Sequence, residues 1–187
     1  MATALFIDVA YLQEHSVVPT NVDPKLIEPS IIWVQDYYIQ KILGTDLYDS
    51  IASQITAGTT TAANNTLLQT WLKDVLINYI ISELPDDFKL RLMNKGPMIK
   101  NSENSQPASI EDIERFISKY KSKAEFYAQR AINFLCDNSS TYPLYNTGNT
   151  DLSDIQPIKN SFKCSLFLKD SDSDVDKVRD YKNITDL

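Results

Sequence analysis

Few residues in this chain have the types and spacing that chemistry requires. A single histidine, His15, excludes any mechanism that needs two imidazoles, and neither Cys136 nor Cys164 stands in an elbow or helix-start context that would activate a thiol. His15 is therefore expected to be a surface or packing residue. The cysteines form neither a CxxC pair nor a disulfide framework, and are expected to be reduced thiols. No GxGxxG, GxxxxGK[ST] or HExxH pattern occurs, so neither a phosphate cradle nor a zincin-type zinc site has support.

Acidic residues offer two metal hypotheses. Glu83, Asp86 and Asp87 at one helix end, with Glu111, Asp112 and Glu114 at the next helix start, could hold magnesium as all-α nucleotide hydrolases do. The macrodipole explains the second group equally well, because acids in a first helical turn are stabilised without metal. Asp170, Asp172, Asp174 and Asp176 imitate the opening of an EF-hand loop, but Val175 replaces the obligatory glycine and Tyr181 the closing glutamate. The expectation is no cofactor, no metal site and no catalytic residue.

Charge patterning points to partners instead. With 18 basic and 25 acidic side chains the net charge is −7, which disfavours general nucleic-acid binding. Against that background Lys89, Arg91, Lys95 and Lys100 form a basic strip with no intervening acid. Interleaved Leu90, Leu92, Met93 and Met98 suit an acidic protein surface better than nucleic acid.

The elements that position these residues read as mainly α-helical. Asp23-Pro24 opens a first helix, Pro29 predicts a kink or a restart near Ser30, and Gly44 closes it; its polar residues at 35, 36, 40 and 41 leave a narrow polar stripe. Thr45 is expected to cap a short helix carrying Leu47, Tyr48, Ile51 and Ile55. A third helix over residues 65–84 is again apolar on most of its circumference, and Pro85 is expected to stop it. Residues 86–108 read as a protruding hairpin or loop.

Ser109, with Asp112 three positions on, caps a long fourth helix. Its apolar Ile113, Ile117, Tyr120, Ala124, Tyr127, Ala131 and Phe134 form a heptad seam that needs a partner helix. From residue 138 the composition turns polar and non-periodic. The predicted organisation is a helical domain over 1–138 and an extended arm over 139–187. One short strand is expected in the arm, because Phe162, Cys164, Leu166 and Leu168 alternate. These four residues join the basic strip as candidate partner-binding residues. No apolar run is long enough for a transmembrane span, and the N-terminal residues lack the basic n-region of a signal peptide.

Asn21-Val22-Asp23, Leu26-Ile27, Pro29, Ile31-Ile32, Gln35, Ile39, Leu43-Gly44 and Leu47-Tyr48, in that order and spacing, resemble the head-tail connector proteins of tailed bacteriophages, particularly the adaptor or ring proteins of crAss-like phages. Lys95-Gly96 and the long closing helix extend the resemblance across residues 5–138. It implies a non-enzymatic virion protein at the head–tail junction, assembled in the host cytoplasm. Its implied form is a homo-oligomeric ring of twelve that binds the portal and other neck or tail proteins, through which packaged DNA passes without sequence-specific contact, and no membrane is involved. Apolar helix circumferences and 10 tyrosines fit interface formation independently. A metal-dependent nucleotide phosphohydrolase and a small cytosolic protein-binding adaptor are the alternatives.

Overall fold

The computed structural model describes residues 4–93, 96–99, 109–146 and 155–159, with backbone only at residues 86–93, 96–99 and 146. It is mainly helical. The elements are α1 (Val9–His15), α2 (Pro24–Val34), a π-turn (Gln35–Ile39), α3 (Gln40–Leu43), α4 (Thr45–Ala57), α5 (Ala62–Thr66), a second π-turn (Leu67–Leu72), α6 (Lys73–Lys89), strands β1 (Leu90–Met93) and β2 (Gly96–Ile99), α7 (Ile110–Asp137) and α8 (Pro143–Asn146). Among the described residues no helix is long and apolar enough to cross a membrane.

Asp23 opens α2 as its residue type predicts, its carboxylate accepting from Lys25 N at 3.0 Å while Pro24 occupies the first turn. The helix then runs through Pro29 without a restart at Ser30. The irregularity comes later, in the π-turn. An extra residue in one turn advances the helix face by about 100°. The buried positions Ile27, Ile31 and Val34 are thereby followed by Ile39, five residues on, and by Ile42 and Leu43 on the same core.

The polar stripe needs one correction. Gln35, read as part of the solvent face, is fully buried. Its Oε1 accepts from Phe6 N at 2.7 Å, and its Nε2 donates to Ala4 O at 3.0 Å. A buried amide is tolerable because both its ends are bonded, and it pins the N-terminal segment against α2. The short helix α1, capped by Asp8 through Tyr11 N at 2.7 Å, escaped the sequence reading because it carries too few turns to show a period.

The helix expected at 65–84 is longer than predicted at both ends. Thr61 caps it through Asn64 N at 3.3 Å, and it continues through the second π-turn and through Pro85 to Lys89. Proline removes one backbone donor and does not end the helix here. Val75, Leu76, Ile77, Tyr79, Ile80 and Ile81 are all buried, so the apolar circumference that suggested an oligomer interface is covered within one chain. The main cover is α7. Of its seam, Tyr120, Ala124 and Ala131 are buried and Ile113, Ile117, Tyr127 and Phe134 half-buried, while Ala128, Ile132 and Leu135 beside the seam complete the buried side. Ser109 caps α7 as expected, with its Oγ accepting from Asp112 N at 3.1 Å and donating to Asp112 Oδ2 at 2.7 Å.

A hairpin stands where one was expected, with β1 and β2 antiparallel and Arg91 opposite Met98. The core does not stop at residue 138. Tyr142 and Tyr145 are buried, and Tyr142 donates to Ala63 O at 2.8 Å, so the start of the predicted arm belongs to the helical body. Residues 155–159 return as a strap over the joint between α3 and α4. Ile155 O accepts from Thr45 N at 3.0 Å, Ile155 N donates to Thr45 Oγ1 at 3.0 Å, and Ile158 N donates to Lys41 O at 3.0 Å. Tyr145 donates to Ile158 O at 2.6 Å. Thr45 is thus the first residue of α4 rather than its cap. Its hydroxyl holds the strap, and Gly44 takes the cap position with no side chain.

Gly44 is fixed by two independent demands. Its φ of 77° with ψ of 160° lies in a region open essentially to glycine alone. A Cβ there would also stand 2.7 Å from Pro157 Cδ. Gly58 shares the positive φ, at 66°, but has open space around it.

Two predictions arise from this packing. Gly44→Ala is expected to lower unfolding free energy by more than about 2 kcal/mol and to release the strap, whereas Gly58→Ala costs about 1 kcal/mol. Urea titrations of both variants check the difference; equal losses would contradict the role given to Pro157. The second concerns alkali. Burial, reinforced by the Glu83 and Asp36 carboxylates they hydrogen-bond, pushes the Tyr38 and Tyr48 phenols well above their ordinary range, and burial raises Tyr79, Tyr142 and Tyr145 as well. The folded chain keeps phenolic protons that the unfolded chain releases. This stability is therefore complete below about pH 10 and falls as pH rises beyond it. Urea midpoints measured from about pH 9 to about pH 12 should decline, and Tyr48→Phe should flatten the decline.

Candidate functional site

The most distinctive surface lies on the outer side of α2 and the following π-turn. The i, i+4 spacing of Trp33, Tyr37 and Lys41 places the three on one side of the helix. Trp33 and Tyr37 stack with centroids 5.0 Å apart, and Lys41 Nζ stands 3.5 Å from the Tyr37 centroid. Trp33 remains 52% and Tyr37 41% exposed, which is unusual for neighbouring large aromatics. Behind them Tyr37 meets Tyr38 edge-on at 4.8 Å, and Tyr38 stacks on Tyr79 of α6 at 3.9 Å. Tyr38 donates to Glu83 at 2.8 Å, and Tyr48 to Asp36 at 2.7 Å, so each phenol ties a carboxylate to the rear of the stripe. The aromatic face is therefore rigidly backed.

Next to Trp33 opens a cleft of about 510 Å³ lined by Lys25, Leu26, Pro29, Ser30, Trp33 and Glu83. Its lining is largely apolar with one cation and one anion, a composition that accepts a side chain or an extended peptide. Nothing in it resembles a nucleophile with its base.

Exposed apolar residues also occur around α7, of which Phe126 lies most nearly opposite the helix's buried side. Ile110 is 64% and Phe126 61% exposed, with Phe116 between them. Lys119 and Lys123 approach the ring of the buried seam residue Tyr120, at 5.8 and 4.8 Å, and Arg130 lies 5.9 Å from Phe126. Lys119, Lys121 and Lys123 form a second basic cluster, less evident in the sequence because Glu114 and Glu125 flank it. The signal was available in their i, i+2, i+4 clustering.

Of the residues selected from the sequence, Lys89 ends α6 and Arg91 lies in β1, both on the first strand's side of the hairpin. Lys95, Lys100, Phe162, Cys164, Leu166 and Leu168 lie outside the described residues. Trp33 and Tyr37 were missed as surface residues because the helix was read as a solvated polar stripe on a buried cylinder. Gln35, one turn beyond the buried Ile31 and two beyond Ile27, faces inward with them, whereas Trp33 faces out.

Several of the remaining chemical candidates have packing partners, while Cys164 and Asp170, Asp172, Asp174 and Asp176, with the side chains of Asp86 and Asp87, lie outside the described residues. His15 is exposed, stacks on Tyr11 at 4.0 Å, and places Nδ1 3.1 Å from Tyr11 O. Lys73 Nζ lies 3.6 Å from the Tyr11 ring. Cys136 Sγ lies 3.8 Å from the buried Tyr145 hydroxyl. Glu83 is engaged by Tyr38, and Asp112 by the α7 cap. Among the described residues no three His, Cys, Asp or Glu side chains converge as metal ligands would, and no buried side-chain polar atom lacks a hydrogen-bond partner.

No curated protein and no solved structure matches the chain. A profile of a family of unknown function, DUF6712, matches residues 39–153, from the end of the first π-turn through α8. The match covers more than half of the sequence, and the chain belongs to the DUF6712 family.

Proposed function

We propose that the protein is a structural virion component, a subunit of a ring in the neck of a tailed phage that joins the portal to the tail and continues the DNA channel. In this reading it catalyses nothing and acts by shape, at the head–tail junction, after assembly in the host cytoplasm. The resemblance over residues 5–138 is one support. The observation that carries the reading is the set of large apolar side chains, Ile110, Phe116 and Phe126, that stand in solvent on a helix whose core side is already packed.

A ring of more than two subunits joins two different patches head to tail. The outer face of α7 supplies one. Leu144, Ile155 and Ile158, exposed beside the strap, supply a second. The basic strip at the hairpin then suits docking to an acidic neighbour in the stack. The net charge of −7 keeps a channel lining from holding DNA that must slide past.

Light scattering across a concentration series, alone and with a portal-type partner, tests the reading. Closed oligomers of one defined mass are expected, near twelve subunits. Phe116→Ser/Phe126→Ser should shift the protein toward monomer without changing its helix content. A strict monomer under every condition contradicts the proposal. Replacing Lys89, Arg91, Lys95 and Lys100 by Ser should leave folding intact while weakening the partner complex and flattening its salt dependence, since exposed charges act mainly through steering.

A further inference from the structure

Charge in this chain is segregated onto one helix. Residues 115–130 of α7 carry five cations and one acid, a net +4 within a total of −7, so the rest of the sequence carries −11. Four of those cations share a side. Arg115, Lys119, Lys123 and Arg130, with Phe126 among them, step by 4, 4, 3 and 4 along the helix, and all five are exposed. At about 100° per residue they fall within a sector of about 80°, opposite the buried Ala124, Ala128 and Leu135. Arg130 sits among Trp71, Phe126 and Tyr127, 5.4, 5.9 and 6.0 Å from their rings, and Lys123 Nζ stands 4.8 Å from the Tyr120 ring. A ring attracts a cation without cancelling its charge, so these side chains are positioned with that charge still available to a carboxylate. Phe116 and Phe126 border them and add exposed apolar area.

We infer that this basic stripe docks on the acidic start of α4 in a second copy of the chain. The inference rests on the reading of the protein as a self-assembling subunit and specifies the contact. Thr45–Ala57 holds Asp46 and Asp49 and no cation. Asp46 lines a small cleft with Leu144, Ile155 and Pro157, and Asp49 is exposed one turn further along. Of the nearby cations, Lys41 leans back toward Tyr37 at 3.5 Å and Lys159 toward Tyr145 at 5.6 Å. Leu144, Ile155 and Ile158 are exposed, so this joint offers carboxylates beside apolar side chains, the complement of cations beside phenylalanines. Two different patches meeting in this way make a head-to-tail contact, the kind a ring requires. A nucleic acid would meet the stripe but be repelled by the −11 carried elsewhere, whereas a second copy brings that acid to the stripe.

Charge exchange in the full chain tests the contact. Association of the wild type should weaken on the order of tenfold as salt rises from about 0.05 M to about 0.5 M. K119E/K123E and D46K/D49K should each stay monomeric in low salt with unchanged circular dichroism. Their equimolar mixture should regain the wild-type mass, because each variant then meets the other's reversed patch. Should D46K/D49K change its circular dichroism, K119E mixed with D49K carries the same test. Variants that assemble like the wild type at every salt concentration overturn the inference and leave the ring reading standing, whereas a wild type that never assembles overturns both. Folded variants that mixing does not rescue remove α4 as the acceptor and overturn it too. So does a K119E/K123E variant that keeps the wild-type mass while losing retention of a fluorescent single-stranded oligonucleotide, because the stripe then belongs to nucleic acid.

Discussion

The 2.7 Å that separates Pro157 Cδ from the place a Cβ would take at Gly44 is the constraint on which the rest depends. With a hydrogen in that place, the end of α3, the start of α4 and the returning strap all meet at one point. The backbone there adopts a positive φ, so the chain turns sharply between two helices with no intervening loop. Thr45, freed from capping, spends its hydroxyl and its amide on the strap, and Tyr145 holds the strap from the other side. A small buried contact thus determines where the chain leaves the helical body and in which direction.

The core around this joint is built on α6. A helix apolar on most of its circumference must be surrounded, and α7 and α2 surround it within one chain. Assembly therefore has to be argued from surfaces the monomer leaves over. Those are the exposed apolar residues of α7, the rim of the strap, and the Trp33–Tyr37 stripe.

Much of this was legible because local rules and packing agreed. Asp23-Pro24, Ser109 with Asp112, and Gly44 marked helix ends through backbone groups they satisfy themselves, and the seam from Ile113 to Phe134 announced its partner helix. Pro85 misled, since a proline near a helix end removes one bond from a helix held by tertiary packing. The π-turns were illegible for a different reason. Nothing in residue type marks an inserted residue, yet each insertion rotates the face that follows, which is how Ile39 returns to the core five residues after Val34. Tyr142 and Tyr145 escaped notice because isolated aromatics in a polar stretch show no period, although each is anchored by a long-range hydrogen bond. Only Lys89 and Arg91 of the selected partner-binding residues fall among the described positions.

The central claim is that the strap is an integral part of the folded body, and amide exchange at Thr45 tests it most directly. The first amides of a helix have no intrahelical acceptor, so Thr45 N–H depends for protection on Ile155 O. If the strap is seated, Thr45 and Ile158 exchange as slowly as the interior of α4, and both respond together to denaturant. Exchange of Thr45 at the rate of an open helix terminus, while α4 stays protected, would contradict the account.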